Sequence, residues 1–496
     1  MTLPTITSRA WIALLALVLA FSCLGSRGLW DPDEGRYTNV AIEMLDTGDW
    51  VTPRRNDDTG HWTKPPLTYW AVAASLSVFG RNTWAARLPS ALSYLACLWL
   101  AWRCARRLAP GTEDMAALVY ATLLMPFVAG QLVTTDFLLT AAQTLAVYGF
   151  VEWRFGPDEG RARWLWLMWA AFAAAFLTKG PPALIPLLVI VGFSLLVRDV
   201  RPRQWPHWAG GLALFAALVL PWFIRVSLEN AGLLDYFLHA EVVGRVASDR
   251  FSRHGEWYGW LEIYLPTLLI GTLPWTAAMG SWIRALPATI RRWSTPVDRQ
   301  REAGALFIAL WIVIPLLVFC VARSRLPLYL LPMFVPIALA ISSTRLAQGK
   351  ANPGWQWMVA WAVMLVGFRY AAAIYPSDND ASAWAREIRQ RAGGNVAEVV
   401  FVEDTPRFGL RLHLGTEVET LSINATDQPK FNPEFDETLA RELEETGQET
   451  NVVYITKATS WPGVVKKLET LGFRAVPLGG RYKKRIIFEV RPNQAR

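Results

Sequence analysis

The sequence predicts an α-helical polytopic membrane protein of about eleven spans that ends in a small α/β domain outside the cytoplasm. Three observations predict it. Of the 496 residues, 53% are hydrophobic and only 18% charged, where a soluble domain carries about 25% charge. The apolar residues gather into runs, nearly all of them before residue 373, and about 20 apolar residues suffice to cross a bilayer. Beyond Tyr375 the pattern changes to short strand-like and helical segments in alternation. A soluble enzyme is excluded for the first three quarters of the chain.

The spans fall near 10–25, 84–103, 113–130, 137–153, 164–178, 182–197, 208–225, 261–283, 304–322, 326–343 and 355–373. The first follows Arg9 and resembles a signal peptide. No small-residue cleavage motif follows it and many further spans do, so a retained anchor is expected. Arginines in short loops set the orientation. Arg103, Arg106, Arg107, Arg154, Arg161, Arg163, Arg198, Arg201 and Arg203 share one side with Arg284, Arg291, Arg292, Arg345 and Lys350. The alternation holds if the N-terminus is cytoplasmic. The loop 26–66, with eight acids against five bases, then faces outward, as does the loop 226–260. Residues 67–80 are apolar but short for a span, and read as an interfacial or re-entrant helix.

Residues 1–374 thus form the membrane domain and 375–496 the extracytoplasmic domain. In the latter, 381–390 and 459–471 read as helices, and 396–402, 451–455 and 485–490 as strands. The charged stretch 436–445 reads as a solvated helix face. The net charge of +8 comes largely from the loop arginines, and the 26 tryptophans suit two membrane interfaces, so nucleic acid is not an expected partner. Cys23, Cys97, Cys104 and Cys320 lie in or beside spans without metal or redox spacing, as buried free thiols do. The five histidines, His61, His207, His239, His254 and His413, are scattered, and their spacing signals no metal.

The polar residues at the outer face carry the chemistry. Leu29-Trp30-Asp31-Pro32-Asp33-Glu34-Gly35-Arg36-Tyr37 opens the first outer loop, with Asp33 either capping a helix through Leu45 or serving a site. The loop closes with Trp62-Thr63-Lys64-Pro65-Pro66, where Lys64 either snorkels or meets a lipid phosphate. Asp136, Lys179, Arg325 and Tyr329 sit at outer span ends, and the 226–260 loop adds Glu241, Arg245 and His254. Acids and bases converging on one membrane face suit a site for an anionic lipid. Asp33, Glu34 and Asp136 are the candidate catalytic carboxylates. Arg36, Tyr37, Lys64, Lys179, Arg245, Arg325 and Tyr329 are the candidate phosphate-binding residues.

These residues resemble the motifs of GT-C membrane glycosyltransferases, most closely the lipid A aminoarabinose transferase (ArnT) family, with protein O-mannosyltransferases more distant. The run Asp33-Glu34-x-Arg36-Tyr37 is followed by Met44-Leu45-Asp46-Thr47-Gly48-Asp49-Trp50, then Lys64-Pro65, Thr178-Lys179-Gly180 and Leu326-Pro327-x-Tyr329-x-Leu331. The matches keep the family's order from about residue 29 to 332. The resemblance implies an inverting transfer of a sugar from a polyprenyl-phosphate donor to lipid A or another envelope acceptor at the outer leaflet of a bacterial inner membrane. It implies Asp33 at the reacting sugar, with Lys64, Arg36 and Tyr329 toward phosphate. The expected partners are that donor, a lipid or glycan acceptor and membrane lipids.

The chain departs from the family at two positions associated with a divalent metal. Thr63 stands where a Glu precedes the Lys-Pro pair, and Val242 follows Glu241 where the family has Glu-His. The expectation is that no cofactor is assigned and that a divalent metal, which stays open, is not held in the family's way, with Glu241 and His254 the remaining weak ligand candidates. Two other readings stay open: a protein O-mannosyltransferase-like enzyme, and a transporter or flippase of lipid-linked sugars. A transporter would place charges mid-span and show repeats, and neither is visible.

Overall fold

The computed structural model describes residues 9–199, 201, 204–243, 254–350, 353–445 and 451–493. The chain forms two compact units. One comprises Met1–Ser22 and Pro89–Tyr370, the other Cys23–Leu88 and Ala371–Arg496. The first outer loop therefore shares a unit with the C-terminal sheet.

The first unit is helical. Trp205–Glu229, Ala303–Val321, Pro327–Ala347 and Trp355–Ile374 are long and apolar enough to cross a membrane by length and composition. Their outward faces carry Leu220, Ile224, Leu317, Val363 and Phe368, exposed as lipid-facing residues are. Helix Thr135–Phe155 is buried along most of its length. It packs on Ala162–Lys179 at Gly149, where an added Cβ would lie 2.8 Å from the Trp164 carbonyl oxygen.

Two expected spans are broken. The 113–130 stretch divides into Glu113–Thr122 and Leu124–Ala129 at an extended Leu123. The 261–283 stretch divides into Gly259–Gly271 and Thr276–Arg292 around Leu273-Pro274. Backbone freed inside a membrane must find partners within the protein, and here the two breaks supply each other. The Leu124 N–H donates to the Leu273 carbonyl at 3.1 Å, the Trp275 indole to the Thr122 hydroxyl at 2.9 Å, and the Trp361 indole to the Thr122 carbonyl at 2.9 Å. Hydrophobicity alone could not reveal breaks that long-range contacts satisfy.

The loop arginines of the orientation argument are also tied down. Glu152 meets Arg107 at 2.9 Å and Arg103 at 3.6 Å, and Asp199 meets Arg201, Arg154 and Arg161 at 3.2–4.0 Å.

The second unit is built on a six-stranded sheet of β1 (Glu398–Val402), β2 (Glu417–Ser422), β3 (Glu437–Thr438), β4 (Val452–Lys457), β5 (Phe473–Pro477) and β6 (Arg485–Pro492), ordered β3-β2-β1-β4-β6-β5. Strands β3, β2, β1 and β4 pair in parallel, and β6 runs antiparallel to β4 and β5. Parallel strands are covered on both faces, which explains the unbroken apolar run Val399-Val400-Phe401-Val402. Val399 and Phe401 pack with Trp384 and Ile388 of helix Ala381–Ala392. Val400 and Val402 pack on the other face with Val464 and Leu468 of helix Trp461–Thr470. The charged 436–445 stretch is strand β3 followed by helix Leu439–Glu445, which buries Leu439 and Leu443.

Candidate active site

The acidic motif is anchored before its helix begins. Residues 29–31 lie against 379–381 in a short antiparallel bridge, with the Asp31 N–H donating to Asn379 and the Ala381 N–H to Leu29, both at 2.9 Å. Helix Asp33–Thr47 follows with Pro32 in the capping position. Asp33 is therefore not the cap; it sits in the first turn, where the helix dipole favours a carboxylate. It is exposed and makes no hydrogen bond or ion pair with the described residues.

Glu34 is its opposite. It is 2% exposed, and both oxygens are engaged. Arg87 grips it with two bonds of 2.9 and 3.0 Å, Arg27 donates at 2.5 Å, and the Trp30 N–H donates at 2.9 Å. Arg87, 1% exposed, also donates to the carbonyls of Leu24, Arg27 and Gly28. Burial would raise the Glu34 carboxyl, but the two guanidiniums outweigh it and hold it down at about 2. The sign of the linkage follows. With the folded value below an unfolded value of 4.5, this contribution is present above about pH 4.5 and is lost as pH falls toward 2. Acid titration of the folded protein should thus show a midpoint that Glu34→Gln shifts to higher pH, because the amide lacks the stability that the ionised carboxylate adds, read by tryptophan fluorescence.

Gly35 lets the motif close. A Cβ there would lie 1.9 Å from Asp31 Oδ1 and 2.4 Å from the Gly409 nitrogen. That nitrogen donates to Asp31 Oδ1 at 3.0 Å. Burial pushes the Asp31 carboxyl up to about 7, against the pull of the Gly409 N–H and Arg407. Gly35→Ala must displace this contact, and a loss of about 1–3 kcal/mol is expected, checked by thermal unfolding in detergent.

Arg36, one turn from Asp33, is half-buried and makes no ion pair with the described residues. Tyr37 is buried against Tyr69, with ring centroids 5.9 Å apart. Lys64 is half-buried and donates to the Thr63 carbonyl at 2.6 Å, while the Thr63 hydroxyl lies 2.8 Å from His61 Nε2. Burial, then Arg36, Arg55 and Lys64, depress His61 well below 6.5, so its ring is neutral at pH 7.

In the membrane unit three candidates meet. Asp136 opens helix Thr135–Phe155, and Lys179 ends helix Ala162–Lys179 and pairs with it. Lys179 Nζ lies 4.6 Å from the Tyr329 ring centroid, as cation–π contacts do. Arg325 is elsewhere engaged. It is 3% exposed and donates to the carbonyls of His254, Glu256 and Cys320, holding the outer loop to the helix end. His254 is exposed, with φ of 56°. Glu241 lies in the Tyr236–Val243 segment, where only the backbone is described, and Arg245 lies outside the described residues.

Position 63 offers a hydroxyl already engaged by His61, not a carboxylate, so the residues present do not match the metal-binding Glu of the resemblance. Val242 offers an apolar side chain in place of the His. Among the described residues, carboxylates cluster instead at Glu43, Asp57 and Glu417, and at Glu419, Glu437 and Glu442. Arg411 meets Glu43 at 2.7 Å and Arg441 meets Glu437 at 3.1 Å, as cations do in ordinary ion-pair clusters.

Arg27, Arg87, Asp31 and Gly35 were not singled out from sequence. Arg87 carried a signal, since it lies within the expected span 84–103, where a charge is costly without a partner.

A model of the dolichyl-phosphate-mannose-protein mannosyltransferase family matches residues 63–224. An undecaprenyl phosphate-alpha-4-amino-4-deoxy-L-arabinose arabinosyl transferase of Aeromonas salmonicida is 33% identical over 357 residues, 68% of this chain and 60% of that protein. Its counterpart in Pseudomonas aeruginosa (strain UCBPP-PA14) is 33% identical over 329 residues, 64% of this chain and 55% of that protein. The match thus spans less than two thirds of these relatives' length. Among solved structures, ArnT from Cupriavidus metallidurans superposes with a TM-score of 0.77 at 21% identity over 97% of both chains. The same protein bound to undecaprenyl phosphate gives the same score. The Archaeoglobus fulgidus oligosaccharyltransferase AglB superposes at 0.52 and 11% identity, over 91% of this chain and 70% of that one. The fold is therefore that of ArnT, and the ordered motifs lie within an integral membrane scaffold of this kind. The chain belongs to the GT-C family of membrane glycosyltransferases.

Proposed function

We propose that the protein transfers a sugar from a polyprenyl-phosphate donor to lipid A, or to a related envelope acceptor, on the periplasmic side of a bacterial inner membrane. The observation that carries this is Asp33: an exposed carboxylate without a partner among the described residues, on a helix start held by the buried Glu34–Arg87–Arg27 network. The naming of relatives as aminoarabinose transferases, and of one structure as bound to undecaprenyl phosphate, supports the donor class. The one-sided arginines support the orientation.

In the proposed reaction the bond between the anomeric carbon and the donor phosphate oxygen breaks, and a bond from that carbon to an acceptor oxygen forms. The leaving group departs as polyprenyl phosphate. Asp33 steadies the positive charge that develops on the sugar, and a fixed cation steadies the phosphate. Lys64, at the close of the same outer loop, is that cation. An acceptor phosphate is ionised near neutral pH and needs no base, whereas an acceptor hydroxyl would give its proton to Asp33. Glu34, Tyr37 and Arg325 hold the scaffold. No divalent metal is required at position 63, and the Thr63→Glu variant should create a metal-sensitive enzyme where the native protein keeps its rate in chelator.

The mannosyltransferase model over residues 63–224 favours a second reading, transfer to a protein hydroxyl. Purified protein given a polyprenyl-phosphate sugar separates the two. Polyprenyl phosphate release that depends on added lipid A supports the first, and release that depends on a Ser/Thr peptide supports the second.

A further inference from the structure

The second unit forms a cleft of about 370 Å³, open to solvent and lined entirely by its own two chain segments. Arg36 and Thr63 line it from the first outer loop, and Thr405, Phe408, Phe435 and Lys457 from the sheet domain. That volume lies in the range of small-ligand sites, about 300–1,000 Å³. The wall is polar with two aromatic rings, which suits a sugar ring and not a prenyl chain.

Its charges are mostly spent. Asp404 is gripped by Arg485 and lies 3.8 Å from Lys457, and Arg55 bonds Asp436 at 2.7 Å. Glu403 accepts the Ile423 N–H at 2.8 Å, while Glu434 is exposed. His61 is neutral at pH 7. Arg36 is left as a cation on this wall with no ion pair among the described residues, and it lies on the same helix face as Asp33, three residues on.

We propose that this cleft is the acceptor subsite and holds an anionic sugar: the anionic group on Arg36, the ring against Phe408 and Phe435, and its hydroxyls on Thr405 and Thr63. The word acceptor rests on the transferase reading; the saccharide site does not. It gives the C-terminal domain a role in choosing the acceptor, because three of these five residues, Thr405, Phe408 and Phe435, belong to it.

The test is saturation-transfer NMR on the full chain in detergent. The probes are glucosamine 1-phosphate, glucuronate and uncharged N-acetylglucosamine, with donor turnover measured on the same preparation. Binding of glucosamine 1-phosphate or glucuronate at least tenfold tighter than the neutral sugar is expected, and the stronger of the two identifies the anionic group. Phe435→Ala and Thr405→Val should each weaken it at least fivefold, with donor hydrolysis in the absence of acceptor unchanged. Equal binding of the neutral sugar, or binding untouched by both substitutions, would overturn the subsite. Donor turnover without any saccharide binding overturns the subsite alone. Saccharide binding without donor turnover leaves the subsite standing and sinks the transferase reading.

Discussion

Asp33→Ala is expected to lower sugar transfer by roughly 10²–10³-fold, about 3–4 kcal/mol, the usual cost of losing one preorganised electrostatic group. The reason is local. Asp33 stands in the first turn of helix Asp33–Thr47 with its carboxylate unspent, so its removal breaks no hydrogen bond or ion pair with the described residues. The thermal midpoint of the variant in detergent should stay within a degree or two of the native protein, and its turnover should collapse. Asp33→Asn separates the two acceptor chemistries. If the acceptor is a phosphate, the amide loses charge stabilisation only, and the pH–rate profile keeps its shape. If the acceptor is a hydroxyl, the limb belonging to the general base disappears.

Glu34→Ala should act through stability. It leaves Arg87 and Arg27 buried with no carboxylate between them, and breaking a buried pair from one side costs about 3–5 kcal/mol. A lower thermal midpoint and reduced membrane yield are expected. Replacing the whole set with apolar residues of similar size, as in Glu34→Leu with Arg87→Met and Arg27→Met, should recover much of that loss, because a buried ion pair contributes little over a well-packed isostere. Turnover should not recover with it, since the Trp30 N–H that Glu34 holds at 2.9 Å would no longer fix the motif. Stability restored without activity would mark Glu34 as a positioning residue.

Much of this was legible in the sequence, and the rest was hidden for physical reasons. The helical membrane class and the α/β domain followed from apolar runs and from alternation. Helices Ala381–Ala392 and Trp461–Thr470 and strand β6 stand within about two residues of their expected places. Strand β2 was missed because Glu417-Val418-Glu419 alternates charge with a single apolar residue, and β5 because Arg474 and Pro477 interrupt a run of five. The motif, its order and the place of Asp136, Lys179 and Tyr329 at outer span ends were legible, whereas the pairing of Lys179 with Asp136 over the Tyr329 ring was not. The different fates of adjacent Asp33 and Glu34 were not. Which of two neighbouring carboxylates is buried depends on Arg87, more than fifty residues away, and on a bridge to residues 379–381. Periodicity within one segment carries no information about such partners.

The most direct test of the central claim is mass spectrometry of envelope lipids and glycans from cells expressing the native protein or Asp33→Ala at equal membrane levels. A sugar mass on lipid A or a related envelope acceptor that is present with the native protein and absent with the variant is the predicted result. Native and variant cells with identical lipid, glycan and protein masses would contradict the transferase account and bring a transporter of lipid-linked sugars to the front.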